Sequence, residues 1–572
     1  MNNRFVKSAY GHFLLWGICT SMAITVCTIV DALLVGNLVG SNGLAVANIS
    51  TPVFLFYALL GVTVGVGANI HIGRLLGAAD VEEANKVFHK QLVFGLSLGG
   101  ICLLPLVCKE GFLQFLGATG ELYPLAEQYL TVVMWSAPLF VMYHILSVSV
   151  RTDSDPRLAA IASSAVIVTN LTLDLVFMSV LNWGIIGASA SLCIAEGIGV
   201  LVLLCHFIKK EVLLKLRLSF PRISDVKSYI TNGFGVGSAN IFQAVVMLVF
   251  NILLLRFGRE MGPLYVAVYG IMYTVSTIPF AIFDGASNAL STVVAFFIGE
   301  SDTKGVFAVL KRAIISAVLF GSILTVGSMF FAEKVVGFFG LSEPEAIKVA
   351  AYTMRIFSIS MVFTGINMVI TAFWQSVGRA RLAGIMSAVR NCLLMLAIGP
   401  VLIWKWQLPG LSLTYITVEI ICSLLGVGIM FFSSSREYVI KRCGVAGRSF
   451  EGNYVIREES LEQIFADLER MCEEWEIGMQ QAFFINFICE ELLLNIIKFG
   501  CKDSKKKYYI DIKLMEKDGD YVLRIRDNVR LYNPFESSGD EIDNGVLLLI
   551  KNKAKFYDYQ RKMIFNYLYL IL

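Results

Sequence analysis

TPVFLFYALLGVTVGVGANIHIGRLL, residues 51–76, is an apolar stretch in which Arg74 is the only Asp, Glu, Lys or Arg. A helix of about 20 apolar residues spans the hydrocarbon core of a bilayer, so this stretch alone predicts a transmembrane helix. Similar stretches recur up to residue 432, and many contain glycine, which lets membrane helices pack closely. The sequence therefore predicts twelve transmembrane helices, at residues 13–39, 51–76, 91–108, 126–149, 158–181, 186–208, 230–256, 265–298, 313–332, 352–377, 382–404 and 409–432.

The composition agrees with a membrane protein that carries a soluble tail. Of 572 residues, 56% are hydrophobic and 16% are charged, whereas soluble domains carry about 25% charged residues. Of the 91 charged residues, 47 lie in 1–432 and 44 lie in 433–572. Basic and acidic residues are nearly balanced in both parts, which argues against nucleic acid as a partner.

The membrane part repeats itself. Gly187 to Glu196 (GASASLCIAE) returns as Gly410 to Glu419 (GLSLTYITVE), and Arg157-Leu-Ala-Ala-Ile returns as Arg381-Leu-Ala-Gly-Ile at nearly the same offset. Because each repeat has an even number of spans, both repeats enter the membrane in the same direction, and a binding cavity lies between them. This arrangement favours a transporter whose two halves rock to open the cavity to one side of the membrane and then to the other. We therefore expect a six-helix lobe at 1–208, an inter-lobe loop at 209–229, a second six-helix lobe at 230–432, a linker at 433–452 and a tail domain at 453–572.

The distribution of Lys and Arg predicts the orientation. Six basic residues lie in 209–227, and Arg74, Arg151 and Arg157 follow other spans on the same side, whereas the opposite loops of the first half hold only Lys109. Because positive loops stay in the cytoplasm, both termini and the tail are expected there, with the chain in the plasma membrane.

Two carboxylates lie within predicted spans. Asp31 is in the first span and Asp174 is in the fifth, where Asn170 shares its helix face. A charged group at membrane depth is costly and is by default a functional candidate. One amide and two carboxylates suit Na⁺, or a proton if one carboxylate stays protonated.

Other polar residues in the spans are weaker candidates. Asp284 lies beside a glycine in the eighth span, and Gln243 in the seventh is placed to line a cavity. Glu196 and Glu419 occupy equivalent repeat positions, which is as consistent with helix packing as with transport.

Residues 1–432 resemble the multidrug and toxic compound extrusion (MATE) family. The resemblance rests on Val30-Asp31 with Val35-Gly36, on GRLLGAADVEEA at 73–84, on Asn170 to Asp174 and on Gly187-Ala188-Ser189-Ala190. It implies two six-helix lobes that exchange Na⁺ or H⁺ for organic, often cationic, compounds. It also implies an N-lobe cation site at Asp31, Asn170 and Asp174, with the family's sixth-span Thr falling near Ser191 or Leu192.

The tail alternates between helix and strand patterns. Segments 460–475 and 480–499 predict amphipathic helices, and 508–514 and 521–527 predict strands around a turn. A helix near 545–555 and a strand at 563–571 complete a predicted small α/β sandwich.

This tail resembles the ATP-binding fold of anti-sigma serine kinases, histidine kinases and type II topoisomerases (the GHKL fold). The matching residues are Glu491 and Asn495, then Asp527, then Gly545. The resemblance implies Mg²⁺ held by Asn495, with Asp527 accepting from the adenine amino group. Val529 stands where a glycine is usual, so we expect weak Mg-ATP or Mg-ADP binding without turnover, or a docking module for a cytoplasmic regulatory protein that has lost nucleotide.

The sequence as a whole predicts a secondary antiporter and not an enzyme. It would export small organic, cationic or amphipathic compounds in exchange for Na⁺ or H⁺, with no required cofactor. A lipid-linked saccharide flippase of the same superfamily and a membrane-anchored signalling protein that acts through its tail remain the alternatives. The identity of the substrate and the choice between Na⁺ and H⁺ stay open.

Overall fold

The chain folds into two compact units, residues 1–442 and 443–572, called here the membrane unit and the tail unit. The computed structural model describes most of both. The described residues are 4–39, 41–116, 122–209, 212–215, 219–237, 239–338, 344–443, 448–501, 507–517, 519–531, 533–535, 550, 552–563 and 565–572.

The first half of the membrane unit, called the N-lobe, is helical. Its hydrophobic core joins helices α1 to α8 through aliphatic and aromatic side chains. Single turns of other helix types follow three of the helices, at Leu104–Leu106, Leu175–Val180 and Cys205–Ile208. The helices are α1 (Arg4–Leu38), α2 (Ser41–Gly77), α3 (Val81–Ile101), α4 (Lys109–Phe115), α5 (Leu122–Trp135), α6 (Ala137–Thr152), α7 (Pro156–Asp174) and α8 (Gly184–Leu204).

The second half, called the C-lobe, is also helical. Over the described residues of the whole chain, nine helices are long and apolar enough to cross a membrane, or ten if the bent pair α5 and α6 counts as one span. Short turns lie at Arg259–Met261 and Val389–Leu393. The helices are α9 (Ile223–Gly237), α10 (Ala239–Gly258), α11 (Gly262–Gly299), α12 (Thr303–Phe338), α13 (Pro344–Ser358), α14 (Ser360–Val377), α15 (Ala380–Ala388), α16 (Leu394–Phe431) and α17 (Ser433–Cys443).

Capping residues mark the start of α7 and the end of α14. Asp155 precedes α7, and its Oδ1 accepts from the backbone N of Leu158 at 3.1 Å, while Pro156 occupies the first turn. Gly378 ends α14 in the left-handed region, at φ 101°, which a side chain disfavours.

The two lobes approach each other closely at glycines. A Cβ added to Gly17 of α1 would lie 2.7 Å from the backbone O of Gly285 in α11. At the end of the same helix, a Cβ on Gly299 would lie 2.1 Å from the backbone O of Arg74 and 2.7 Å from Cα of Gly77. Backbone contact of this kind is possible only without side chains, so these positions hold the lobes together.

The tail unit is a two-layer α/β structure. Its five strands form one antiparallel sheet in the order β1-β2-β3-β5-β4, and its hydrophobic core lies between one sheet face and the two helices. Ile512, Ile525 and Leu568 point from three neighbouring strands into this core. The elements are β1 (Ser449–Val455), α18 (Glu458–Glu474), α19 (Met479–Asn495), β2 (Tyr509–Lys517), β3 (Asp520–Asp527), β4 (Phe556–Lys562) and β5 (Phe565–Ile571), with a widened turn at Ile496–Gly500.

The segment 433–452, expected to be a linker, is mostly ordered secondary structure. The serines that suggested a linker begin α17, which suits them because serine favours helix N-termini, and Lys441 and Arg442 lie in its last turn. Arg379 packs on this helix, with its guanidinium 4.2 Å from the ring centre of Tyr438. Strand β1 then begins before the expected domain boundary.

One other feature of the tail differs from the sequence prediction, and a second lies largely outside the described residues. Strand β4 was not predicted, because FYDYQRK at 556–562 has no clean alternation. The predicted helix near 545–555 lies partly outside the described residues, which show helical backbone only at 550 and 552–553.

Candidate functional site

Asp174 is the centre of a buried polar cluster in the N-lobe. Nδ2 of Asn170, one helical turn earlier, donates to its Oδ2, and Oγ of Ser191 in α8 donates to its Oδ1. All three side chains are inaccessible to solvent. Each carboxylate oxygen therefore has a donor, which offsets part of the cost of burying the group.

Local helix geometry places these residues. Asp174 is the last residue of α7, where the backbone widens into the π-helical turn Leu175–Val180. Such widened turns are frequent at functional sites because they redirect a side chain. The small residues Ala188 and Ala195 on α8 are buried beside Ser191 and let the two helices pack closely.

Asp31 lies in the last third of α1, as the sequence predicts, but its side chain lies outside the described part of the structure. Helices α1 and α7 are packed against each other. Among the described side chains, no group of three or more His, Cys, Asp or Glu could hold a metal ion. A cation at Asp174 would have to be held by mixed oxygen ligands from carboxylate, amide and hydroxyl groups.

A cavity of about 500 Å³ lies between the lobes. Gln243 of α10 and Asp284 of α11, both cavity candidates from the sequence, line it. Twelve serine and threonine side chains also line it, whereas Tyr143, Tyr273 and Phe280 are its aromatic lining apart from a histidine. Among the described residues, the cavity wall thus combines hydroxyl and amide groups with aliphatic side chains such as Val62, Ile70 and Met368.

Asp284 joins the two lobes within this cavity. Its Oδ2 accepts from Oγ of Ser21 in α1 at 2.8 Å and from Nδ2 of Asn288 at 2.9 Å. The neighbouring Gly285 is the point at which α1 and α11 touch, so the carboxylate lies where the lobes meet.

The repeat-related Glu196 and Glu419 have different surroundings. Glu419 is buried in the C-lobe, where its carboxylate accepts from Nε of Arg390 at 2.9 and 3.0 Å and from Nδ2 of Asn367 at 2.6 Å. Glu196 has no such cation: its Oε2 is buried and makes no hydrogen bond among the described residues. The sequence repeat predicts equivalent positions but not this difference, because Arg390 comes from another helix.

A network at one end of the N-lobe was not predicted. His206 lies between two carboxylates, 2.9 Å from Oδ2 of Asp153 and 3.3 Å from Oδ2 of Asp155, and Nζ of Lys209 also pairs with the latter. Burial acts to raise the pKa of Asp155, but the hydrogen bonds from His206 and Lys209 bring it well below its usual value. Asp153 also accepts from the backbone N of Leu214 at 3.2 Å, which fixes the start of the inter-lobe loop.

Arg151 is a second residue that sequence reasoning did not single out. The loop charge count treated it as a topology signal, yet it lines the inter-lobe cavity from the last turn of α6. A single basic residue at a helix end gives no sequence signal that separates these two roles.

The tail places its predicted residues at the ends of elements. Asn495 ends α19, and its Nδ2 donates to the backbone O of Glu491 at 2.8 Å. Asp527 ends β3, where its Oδ1 accepts from the backbone N of Val529 at 3.0 Å and from Nδ2 of Asn566 at 2.8 Å.

Asp527 is strongly buried, and burial raises its pKa to about 7 despite these hydrogen bonds. Val529, which replaces the expected glycine, is buried in the core and would meet any Cβ on Gly500 at 2.5 Å. Gly545 lies outside the described residues.

The membrane unit is similar in sequence to known transport proteins. A family model described as MatE matches residues 18–176 and 237–401, one segment in each lobe. Multidrug export protein MepA of Staphylococcus saprophyticus is 25% identical over 434 residues, which cover 75% of this chain and 94% of that protein.

Solved structures share the fold. A multidrug resistance MATE family transporter of the MOP superfamily, in an outward-facing conformation, superposes with a TM-score of 0.70 at 21% identity, over 76% of this chain and 96% of that one. A MOP superfamily transporter from Pyrococcus furiosus, described as having a binding pocket of reverse polarity, gives 0.68 at 21% identity, over 75% and 96%. The family-model segments end at residue 401, before the tail unit begins.

Proposed function

This chain belongs to the MATE family of membrane transporters, and on that premise we propose that it is a secondary antiporter that exports organic compounds in exchange for Na⁺ or H⁺. The observation that carries the proposal is the buried cluster of Asp174, Asn170 and Ser191. A buried carboxylate that accepts from neutral amide and hydroxyl donors can take up a cation or a proton at little structural cost. The names of the relatives, which are multidrug export proteins, support organic, cationic or amphipathic compounds as cargo.

We further infer twelve spans. Helix α1 covers the first predicted span, and the stretch 380–431, 52 residues long, is about 78 Å as a helix, more than twice a bilayer core. Its backbone breaks at Gln407, at φ 51° and ψ −126°. At the offset that relates Gly187 to Gly410, Gln407 corresponds to Gly184, which begins α8, so the break fits a loop between two spans.

The charge distribution supports cytoplasmic termini and a plasma-membrane location, as derived from the sequence. On that orientation the ends of α2, α11 and α14 at Gly77, Gly299 and Val377 face the cytoplasm. The lobes are in contact there, so the described conformation is closed on the inside. Alternating access then consists of separating these ends while the outer ends close.

The coupling site is tested with the full chain in proteoliposomes under an imposed pH or Na⁺ gradient. Asp174→Asn and Asp31→Asn are expected to abolish gradient-driven export of an organic cation, with normal insertion and stability. Asp80→Asn is the matched control, because Asp80 caps α3 and asparagine caps equally well. Full coupling in both site variants would remove these carboxylates from the mechanism.

For the tail we propose a regulatory module of the GHKL type that binds Mg-ATP or Mg-ADP weakly and does not turn it over. Asp527 and Asn495, at the ends of β3 and α19, support this assignment, and the buried Val529 explains why affinity would be low. The alternative is a docking module for a cytoplasmic regulatory protein that has lost nucleotide binding. Deletion of residues 443–572 should leave export itself intact, and loss of export by a correctly inserted deletion variant would contradict a regulatory role.

A further inference from the structure

A buried cluster of titratable side chains marks the point where the N-lobe ends and the inter-lobe loop begins. His206 lies in the single turn after α8, and both of its ring nitrogens face carboxylates. Nε2 is 2.9 Å from Oδ2 of Asp153, and Nδ1 is 3.3 Å from Oδ2 of Asp155. His206 is 3% exposed and Asp153 is 6% exposed, so water is largely kept from these contacts. The proposed export function uses none of these groups.

The geometry fixes how many protons the cluster must hold. A neutral imidazole has one N–H, and its other nitrogen presents a lone pair. Contacts from one ring to two carboxylates are therefore both favourable only when two protons are shared among the three groups, as an imidazolium or as a neutral histidine with one protonated carboxyl. Loss of either proton leaves a nitrogen lone pair facing a carboxylate oxygen at hydrogen-bond distance, which is repulsive in a buried site.

The surroundings of the cluster keep Asp155 ionised and favour a proton on its neighbours. Burial acts to raise the pKa of Asp155, but its hydrogen bonds with the histidine and with Lys209 hold that pKa well below its usual value. Burial raises the pKa of Asp153 despite its hydrogen bonds. Among the described residues, the only other titratable group that acts on the cluster is His12 of α1, through Asp155, while α3 packs on this turn with the uncharged ring of Phe88. The titrating proton is therefore shared between the histidine and Asp153.

The cluster also holds the inter-lobe loop. The same Oδ2 of Asp153 that faces His206 accepts from the backbone N of Leu214 at 3.2 Å, and the Leu214 side chain is fully buried. The next residue, Lys215, donates through its backbone N to Oδ1 of Asn85 in α3. Asp153 thus joins the titrating ring to the segment that leads to α9.

This attachment matters because α9 lies directly against the N-lobe. A Cβ added to Gly233 of α9 would lie 1.9 Å from the backbone O of Thr63 in α2. At the start of α9, Oδ2 of Asp225 is 3.2 Å from Nζ of Lys90 in α3. Alternating access moves one lobe against the other, so the hold of the N-lobe on the loop affects how easily α9 leaves α2.

We propose that His206 and Asp153 form a pH-sensitive anchor for the inter-lobe loop. In the protonated cluster, Asp153 holds both the imidazole ring and the backbone of Leu214, and the loop is fixed to the N-lobe. When the pH rises and the cluster loses a proton, one contact of the ring becomes repulsive, the ring and Asp153 move apart, and the segment 212–215 is released. The anchor makes the conformational change depend on the pH at this end of the membrane unit, whichever ion drives export.

The test places a fluorine reporter on the loop of the full chain. Trifluoromethylphenylalanine is introduced at Lys215, whose side chain is exposed. ¹⁹F NMR in detergent then follows the anchored and released populations from about pH 5 to about pH 8, the range in which histidine titrates. We expect the ratio of released to anchored protein to rise with pH by up to about tenfold per pH unit, the limit for the loss of one proton.

Two variants should remove this transition by different routes. His206→Gln lacks the titrating ring, whereas Asp153→Asn keeps an oxygen for the backbone N of Leu214 that no longer responds to the ring. In each variant, the ratio should change less than about twofold over the same pH range. Because the two substitutions lie in different elements, a folding defect in one leaves the other as the test.

His12→Gln is the matched control, because it removes the other histidine that interacts with Asp155 and leaves both contacts of His206 in place. It should retain the transition. A wild-type spectrum that does not change with pH would overturn the proposal, as would a transition that survives in both cluster variants or is lost in His12→Gln. The readout is the state of the loop and not export, so failure here leaves the coupling test at Asp174 unaffected.

Discussion

Arg390 and Glu419 form a buried ion pair in the C-lobe, with Nη2 2.8 Å from Oε1 and both side chains less than a tenth exposed. The guanidinium of Arg390 neutralises the carboxylate of Glu419 and takes the place that a bound metal cation would need. In the N-lobe the repeat-related Glu196 has no such partner among the described residues. The two halves of the repeat thus differ at equivalent positions, because the C-lobe glutamate is paired with a buried cation and the N-lobe glutamate has no such partner among the described residues.

We expect Arg390→Met to destabilise the membrane unit by about 3–5 kcal/mol, because it leaves the Glu419 carboxylate buried without its cation. Arg390→Met combined with Glu419→Gln should recover much of that loss, since no unpaired charge remains. Thermal unfolding in detergent measures Arg390→Met, Glu419→Gln and the double variant, and the double-mutant cycle gives the coupling energy. Additive losses would show that the pair contributes nothing as a pair.

Ser191 provides a test of the N-lobe site that does not remove a carboxylate. Its hydroxyl donates to Asp174, so Ser191→Ala removes one oxygen from the cluster. We expect the concentration of coupling ion at half-maximal export to rise about tenfold, the effect of losing one hydrogen bond to a charged group. Ser191→Thr keeps the hydroxyl and should retain coupling.

The matched control for Ser191→Ala is Ser164→Ala. The Ser164 hydroxyl donates to the backbone O of Ala160 within its own helix, at 2.9 Å, and touches no carboxylate among the described residues. If both alanine variants change ion dependence equally, the hydroxyl of Ser191 has no special role.

Asp527 gives the tail unit a pH-dependent stability. Burial raises its pKa to about 7 in the folded domain, whereas an unfolded Asp titrates near about 3.9. The folded domain therefore holds the proton more tightly, and its stability falls as the pH rises from about 4 through about 7. The amide in Asp527→Asn cannot ionise, so this variant should gain stability relative to wild type as the pH rises over that range, by up to about 1.4 kcal/mol per pH unit.

Urea unfolding of residues 443–572, followed through Trp475, measures this difference. Glu474→Gln, an exposed carboxylate-to-amide change, is the control and should leave the pH profile unchanged. A constant difference between Asp527→Asn and wild type over this pH range would show that Asp527 does not titrate there.

How far the sequence predicts this molecule depends on whether a feature is local. The spans and the shared helix face of Asn170 and Asp174 follow from periodicity and spacing within one helix. The break at Gln407 also lies where hydropathy separates two spans, because the predicted spans end at 404 and begin again at 409 around Lys405. Arg390 and Arg151 could not be assigned at all, since their roles depend on which helix from elsewhere in the chain lies beside them.

In the tail, too, the sequence predicts local features but not contacts between distant parts of the chain. Alternation predicts β2 and β3, whose two faces differ in polarity. It misses β4 at Phe556–Lys562, in which polar and aromatic residues occupy both faces. Asn566, which donates to Asp527, lies 39 residues later in the chain and is brought opposite it by the strand register.

The close contact at Gly299 predicts a variant that changes conformation without touching the cavity. A Cβ at this position would lie 2.1 Å from the backbone O of Arg74, and backbone cannot move aside as a flexible side chain can. Gly299→Ala should therefore disfavour the conformation in which these ends are closed. We expect export to slow at least about tenfold, because the conformation with these ends closed rises in free energy by more than about 1.4 kcal/mol relative to the open one.

Access to the closed end reports this shift directly. Ser376 lies there, buried, and its backbone O accepts from Nη2 of Arg74 at 2.7 Å. In a Ser376→Cys background, labelling of that cysteine by a polar maleimide should become faster when Gly299→Ala is added. Gly100→Ala is the matched control, because a Cβ there meets nothing within 4 Å. Unchanged labelling with impaired export would mean that Gly299 acts through stability and not through the closed conformation.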